Sequence, residues 1–201
     1  HGGGLMSHVK QIPDAIREKA DAHRQYRQEI PQLKGKDIRI CMDEWNYWYG
    51  PHIYGELGTR YFMRDAMGIA AGLNEYSRQS DMVFMANYAQ TVNVIGCIKT
   101  NTTSSVFDAT GQVLKLYRQH FGTIPVAISG ETRPVDIAAT LDSEGRTLTI
   151  SVVNATHDEV KIPVTLLNGT FAGEGELWQV TAPDEMATNE PGRPENVKIT
   201  G

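Results

Sequence analysis

Two acids stand side by side at Asp43 and Glu44, directly after the apolar run Ile40-Cys41-Met42. Four aromatic residues, Trp45, Tyr47, Trp48 and Tyr49, follow within the next five positions. A carboxylate beside aromatic rings suits carbohydrate, whose C–H faces stack on indole and phenol while its hydroxyls take hydrogen bonds. If Ile38 to Glu44 is extended, a period of two puts Ile38, Ile40, Met42 and Glu44 on one face and Arg39, Cys41 and Asp43 on the other. One acid then faces a pocket while its neighbour faces away. Pattern alone leaves a second reading open, in which both acids are solvated or ion-paired loop residues and Trp45 and Trp48 are core.

The elements that must position these residues alternate. Pro13 to about Ile30 reads as a helix, with Pro13 suited to its first turn, Ile16, Ala20, His23 and Tyr26 along one face, and Gly35 as a stop signal. Asp37 to Met42 suits a buried strand. A second helix is expected over about Thr59–Gln79, where Phe62, Ala66, Ile69, Leu73 and Tyr76 keep helical spacing. A second strand is expected at about Met82–Ala86. A third helix runs over about Gly111–Phe121, with Thr110 as cap and Gly122 as terminator. Buried strands joined by helices are the units of a parallel α/β sheet or barrel.

Past Pro125 the helical period disappears. Thr147–Val152 alternates, with Leu148, Ile150 and Val152 on one face, and Val160, Ile162, Val164 and Leu166 repeat the pattern, with Pro163 favouring an edge. A further strand is expected at Leu177–Thr181. The expected class is therefore α/β plus all-β, with residues 1–125 as an α/β unit and 126–201 as an antiparallel β-sandwich domain. A full eight-stranded barrel takes about 250 residues, so two strands can form only part of one.

Composition narrows the partners. The net charge of −5 comes with no basic stripe, which argues against nucleic acid, and no run of ~20 apolar residues is present to cross a membrane as a helix. Cys41 and Cys97 lie in apolar segments without metal-ligand spacing, and both are expected to be buried free thiols. His1-Gly2-Gly3-Gly4 is not a signal peptide, and no targeting segment is visible.

Four ordered blocks extend the reading. Asp43-Glu44-Trp45-Asn46-Tyr47-Trp48-Tyr49 resembles the nucleophile motif of glycoside hydrolase family 51, the α-L-arabinofuranosidases. Met85 to Ile95 resembles that family's eighth-strand segment, Val113-Leu114-Lys115-Leu116-Tyr117 the helix after it, and Thr181-Ala182-Pro183 with Ala187-Thr188-Asn189-Glu190-Pro191 the last conserved stretch. The resemblance implies the C-terminal strands and helices of a TIM-type (β/α)8 barrel followed by a jelly-roll-like β-sandwich. It implies Glu44 as nucleophile of a retaining hydrolase that releases terminal α-L-arabinofuranosyl residues from arabinose-containing polysaccharides or oligosaccharides. Trp48 would wall the sugar pocket, Gln90 would bond substrate or nucleophile, and Asp43 and Asn46 would position the strand end. Cys41, Met42 and Met85 are expected in the core; Tyr47, Tyr49 and His52 could line outer subsites or simply pack.

No cofactor or metal is implied. Retaining hydrolysis needs a second carboxyl about 5–5.5 Å from the first, and the family's acid/base glutamate belongs to an Asn-Glu pair on a strand that would precede residue 1. Asn74-Glu75 and Asn189-Glu190 lie in the wrong context, and Glu56 reads as a loop acid. The expected partners are the sugar polymer, the missing N-terminal part of the enzyme or another chain supplying it, and, by family resemblance, a second copy in a homo-oligomer. The competing readings are a non-catalytic carbohydrate-binding or assembly fragment, and a same-family hydrolase of β-glucan or xylan.

Overall fold

A computed structural model describes residues 4–49 and 58–201. Helix α1 runs over Leu5–Glu29 and buries Val9, Pro13, Ile16 and Ala20 as one stripe. Pro13 therefore lies inside the helix instead of opening it. Leu5 and Val9 continue the same spacing upstream, and burial of the Pro13 ring in the stripe offsets the backbone bond its nitrogen cannot donate. The helix ends where Pro31 disfavours helical backbone at Ile30. Gly35 instead makes a left-handed turn, at φ 74°, ahead of the next strand.

Strands β1 (Ile40–Trp45) and β2 (Val83–Tyr88) pair in parallel, joined by helix α2 (Met63–Arg78). Parallel pairing needs such a crossover, and α1 packs beside α2 on the same side of the pair. A hairpin of β3 (Ile98–Thr100) and β4 (Ser105–Phe107) follows. Its strands are too short to show a period, but its turn is chemically marked. The Asn101 Oδ1 accepts from the backbone of Thr103 and Ser104 at 2.9 and 2.8 Å.

Helix α3 spans Ala109–His120. Its cap is Asp108, whose carboxylate accepts from Ala109 N at 2.8 Å, and not Thr110, which is buried in the first turn with its hydroxyl 2.8 Å from that of Tyr88. A cap must sit outside the helix with its acceptor free for the first amides, and only Asp108 does.

Strands β5 (Ile124–Val126), β6 (Asp136–Leu141) and β7 (Leu148–Val153) make an antiparallel sheet in that order. β8 (Gln179–Thr181) pairs with β9 (Lys198–Thr200). On β7 the buried end is Val153, while Val152, expected inward, is 54% exposed. The 160–166 segment forms no strand, because none of the described strands pairs with it; its Val164 is half exposed. The β5–β7 sheet lies against α2 and α3. The Tyr117 hydroxyl on α3 donates to Asn74 on α2 and lies 2.5 Å from that of Ser151 on β7. One hydrophobic core runs without a break from Val9 through Trp45, Ile69 and Val113 to Val153 and Val197.

Among the described residues the class is mixed α/β with four small sheets, one parallel and three antiparallel. Among the described residues the β1–β2 pair has no closed barrel around it.

Candidate functional site

The ends of β1 and β2 lie together, as they must in a parallel pair. Ile40 pairs with Val83, Cys41 with Met85, Met42 with Ala86 and Trp45 with Tyr88. Three steps along β1 from Met42 to Trp45 therefore match two along β2, which is a bulge at Asp43-Glu44. The bulge revises the strict alternation expected from sequence. Met42 and Trp45 both face the helices: Met42 lines a cavity with residues of α1, and the Trp45 ring meets Tyr76 edge-on at 5.0 Å. Asp43 and Glu44, between them, are both exposed. Glu44 does not share the half-buried setting of Ile40 and Met42.

The opposite face of the pair is open. Cys41 is exposed there and its thiol donates to Asp43 at 3.2 Å, which raises its pKa. Met85 is 46% exposed and Phe84 68%, with the Arg39 guanidinium 5.1 Å above the Phe84 ring. The expected burial of Cys41 and Met85 is thus not met, and Cys97 is only half-buried. Their apolar neighbours in sequence are not neighbours in space, because no further strand covers this face among the described residues.

Asn46 ties the site together. Its Nδ2 lies 2.7 Å from Ala89 O, 2.9 Å from Ile95 O and 2.7 Å from the Tyr61 hydroxyl, which itself donates to Tyr47 O at 2.9 Å. The end of β1 is thereby strapped to the loop after β2, the loop that carries Gln90. Gln90 is exposed, with its amide 3.4 Å from Val92 O. Trp48 is 60% exposed at the rim of a cavity of about 270 Å³, which it shares with His8, Gln11 and Ile12.

Tyr47 and Tyr49 pack against α1 and α2, and both also line the cavity that Trp48 rims. Tyr47 is buried, stacks on His8 at 4.5 Å and donates to His8 O at 2.9 Å. Tyr49 donates to Asp65, whose carboxylate also meets His8 Nε2 at 2.7 Å and caps α2 through Phe62 N. Burial pushes both phenols well above the ordinary tyrosine value, with the Asp65 charge adding to it. His8, Tyr61 and Asp65 carry no local signal in the sequence, since each meets its partner only through tertiary contact. His52 and Glu56 lie outside the described residues.

The two Asn-Glu pairs are occupied elsewhere. Asn74 and Glu75 are buried on α2, Glu75 between Arg17 and Arg78. Asn189 is buried against the backbone of Phe107 and Val197, and Glu190 pairs with Arg60 and Arg193. Among the described residues no group of three or more His, Cys, Asp or Glu side chains could hold a metal ion.

Residues 43–201 match the α-L-arabinofuranosidase C-terminal domain family. The chain is 33% identical over 176 residues to an α-L-arabinofuranosidase C of Emericella nidulans, covering 78% of this chain and 34% of the relative. An intracellular exo-α-L-arabinofuranosidase of Bacteroides ovatus is 28% identical over 152 residues, 74% of this chain and 28% of the relative. Among solved structures, the family 51 α-L-arabinofuranosidase of Thermotoga petrophila superposes with a TM-score of 0.76 at 25% identity, over 94% of this chain and 43% of that one. The Thermotoga maritima α-L-arabinofuranosidase in its arabinose complex gives 0.79 at 24% identity, over 96% and 45%. The chain belongs to the α-L-arabinofuranosidase C-terminal domain family, and it corresponds to the C-terminal portion of a glycoside hydrolase family 51 enzyme. It spans about a third of the length of the curated relatives it matches.

Proposed function

We propose that this chain is the C-terminal portion of a retaining α-L-arabinofuranosidase, with Glu44 as nucleophile. The observation that carries the reading is the end of β1. Glu44 projects from a bulge at the C-terminal end of a parallel strand, exposed, while Asn46 straps that strand end to the Gln90 loop. Carboxylates at such strand ends form the active face of α/β barrels. The exposed Ile38, Phe84 and Met85 fit a surface that further barrel strands would cover. On this reading residues 1–125 are part of a (β/α)8 barrel and 126–201 part of a jelly-roll-like sandwich. The remaining strands come from the rest of the enzyme.

The chemistry follows. The Glu44 carboxylate attacks the anomeric carbon of a terminal arabinofuranose as the bond to the leaving oxygen breaks. That oxygen takes a proton from an acid supplied outside this chain. Water, deprotonated by the same group, then displaces Glu44 and releases arabinose with retained configuration. Trp48 walls the sugar, Gln90 bonds a hydroxyl or the carboxylate, and Asn46 and Asp43 hold the strand end.

The test uses the complete gene product with an aryl α-L-arabinofuranoside. Turnover is expected, with Glu44→Ala losing at least about 10³-fold in kcat. A mechanism-based arabinofuranosyl label should add its mass to the peptide holding Glu44. Undiminished turnover by Glu44→Ala would sink the assignment.

A further inference from the structure

The loop that Asn46 grips makes an unfavourable corner. Asn93 and Val94 both take left-handed backbone, at φ 50° and 45°, a region where asparagine is tolerated but a β-branched residue is a strained outlier. Such a conformation persists only where its surroundings enforce it. Here the Val94 carbonyl accepts from Thr59 N at 2.9 Å and from the Lys99 ammonium at 3.0 Å. On the other side of the corner, Asn93 exchanges side-chain bonds with Thr100, at 2.8 Å each. The next carbonyl along, that of Ile95, is the one that accepts from Asn46 Nδ2 and, at 3.4 Å, from Gln90 N.

Lys99 is an unusual residue to find there. Its side chain is 16% exposed, its ammonium lies 5.3 Å over the Tyr61 ring, and its counter-charge is the fully buried Asp108 carboxylate at 3.8 Å. Burial pulls the ammonium below the ordinary lysine value while Asp108 holds it up. A buried cation is costly unless it is paired and hydrogen-bonded. Here it spends a hydrogen bond on a single backbone carbonyl in a strained loop.

We propose that Lys99 is a positioning residue for the reaction: by pinning the Val94 carbonyl it fixes the Asn93–Val94 corner, aims the Ile95 carbonyl at Asn46 and Gln90, and so sets Gln90 against the Glu44 strand end. The proposal rests on the reading of Glu44 as nucleophile. A merely structural lysine would affect how much enzyme folds. A positioning lysine affects how fast each folded site turns over, because small displacements of a reacting constellation cost rate steeply.

The experiment uses the complete gene product, with active sites counted by the covalent arabinofuranosyl label. Lys99→Met keeps the length and removes the donor. It is expected to lower kcat per labelled site by about tenfold or more, with KM changed by less than roughly threefold. Val94→Gly in the Lys99→Met background, which lets the corner form without strain, is expected to recover several-fold of that loss. An unchanged kcat per labelled site, or a loss that Val94→Gly does not recover, overturns the proposal. If Lys99→Met does not fold, Thr100→Val removes the acceptor of Asn93 Nδ2 on the exposed side of the same corner without easing its backbone, and should show a fall in kcat per site; an undiminished kcat there overturns the proposal equally. Failure of the underlying reading looks different: the unsubstituted enzyme takes no label at Glu44, and the proposal falls with it.

Discussion

Glu75→Gln tests the packing that holds β1, the strand of Glu44, against its helices. The Glu75 side chain is 1% exposed. Its carboxylate accepts from Arg17 Nε and Nη2 at 3.2 and 3.0 Å, from Arg78 Nε at 2.8 Å and from Gln79 Nε2 at 2.7 Å. Arg17 belongs to α1 and Arg78 to α2, and Arg78 also reaches Asp136 on β6 at 2.7 Å. One buried charge thus joins three elements. Glutamine keeps the shape but places an N–H₂ where two guanidinium groups donate. Removing one member of a buried pair costs about 3–5 kcal/mol, but Arg17 and Arg78 are 47% and 32% exposed and can turn to water. The expected cost is therefore ~2–3 kcal/mol.

Hydrogen exchange on the complete gene product reads this locally. At 1.36 kcal/mol per tenfold, amides of α1 and α2 should exchange about 30- to 150-fold faster. The effect depends on pH in a definite direction. Burial alone would raise the Glu75 carboxyl, but hydrogen bonds from Gln79, Arg17 and Arg78 outweigh it and hold it below its ordinary value. Its contribution is present above the unfolded value of about 4.3 and is lost as pH falls through the lower folded value. The difference between the two proteins should shrink in acid. Exchange in α1 and α2 accelerated by less than about threefold at neutral pH, under ~1 kcal/mol, would refute the account of Glu75 as a structural clamp.

Two further outcomes follow from the same structure, beside those stated for Glu44 and Lys99. Burial raises the Asp108 carboxyl to about 6, so the folded state holds this proton more tightly than the unfolded chain. That contribution is complete below about pH 4 and disappears as pH rises through about 6, on the order of 3 kcal/mol in all. Asp108→Asn, which can still cap α3, should flatten this part of a stability–pH profile from chemical denaturation; parallel profiles would contradict the assignment. At Gly68 an added Cβ would fall 1.8 Å from the Tyr47 hydroxyl oxygen. Gly68→Ala is expected to cost about 1–3 kcal/mol in denaturant unfolding despite the better helix propensity of alanine, and a stabilised Gly68→Ala would show that α2 and the Tyr47 ring are not so closely packed.

Much of the scaffold was legible because its signals are local. The spacing of Phe62, Ala66, Ile69 and Tyr76 marks α2, and the apolar run before Asp43-Glu44 marks β1, since period and propensity act within a few residues. The chain past Pro125 is less legible. β5, β6 and β9 are short or depend on their partners, and the alternation from Val160 to Leu166 is real in sequence but forms no strand. A strand exists only when another lies beside it, and that is a fact about the fold.

The motif belongs to the sequence: Glu44 at a strand end, aromatic residues beside it, Gln90 one strand further on. Tertiary structure decided how these are presented. The bulge that exposes Asp43 and Glu44 together arises from register against β2, which alternation along β1 cannot reveal. The strap from Asn46 to Ala89 and Ile95 spans more than forty residues of sequence, and the His8–Asp65 contact spans 57. Hydrogen bonds and ion pairs of that range depend on where the helices pack, and packing is set by the summed burial of many side chains. Local sequence therefore names the carboxylate proposed as nucleophile, while the fold determines what holds it.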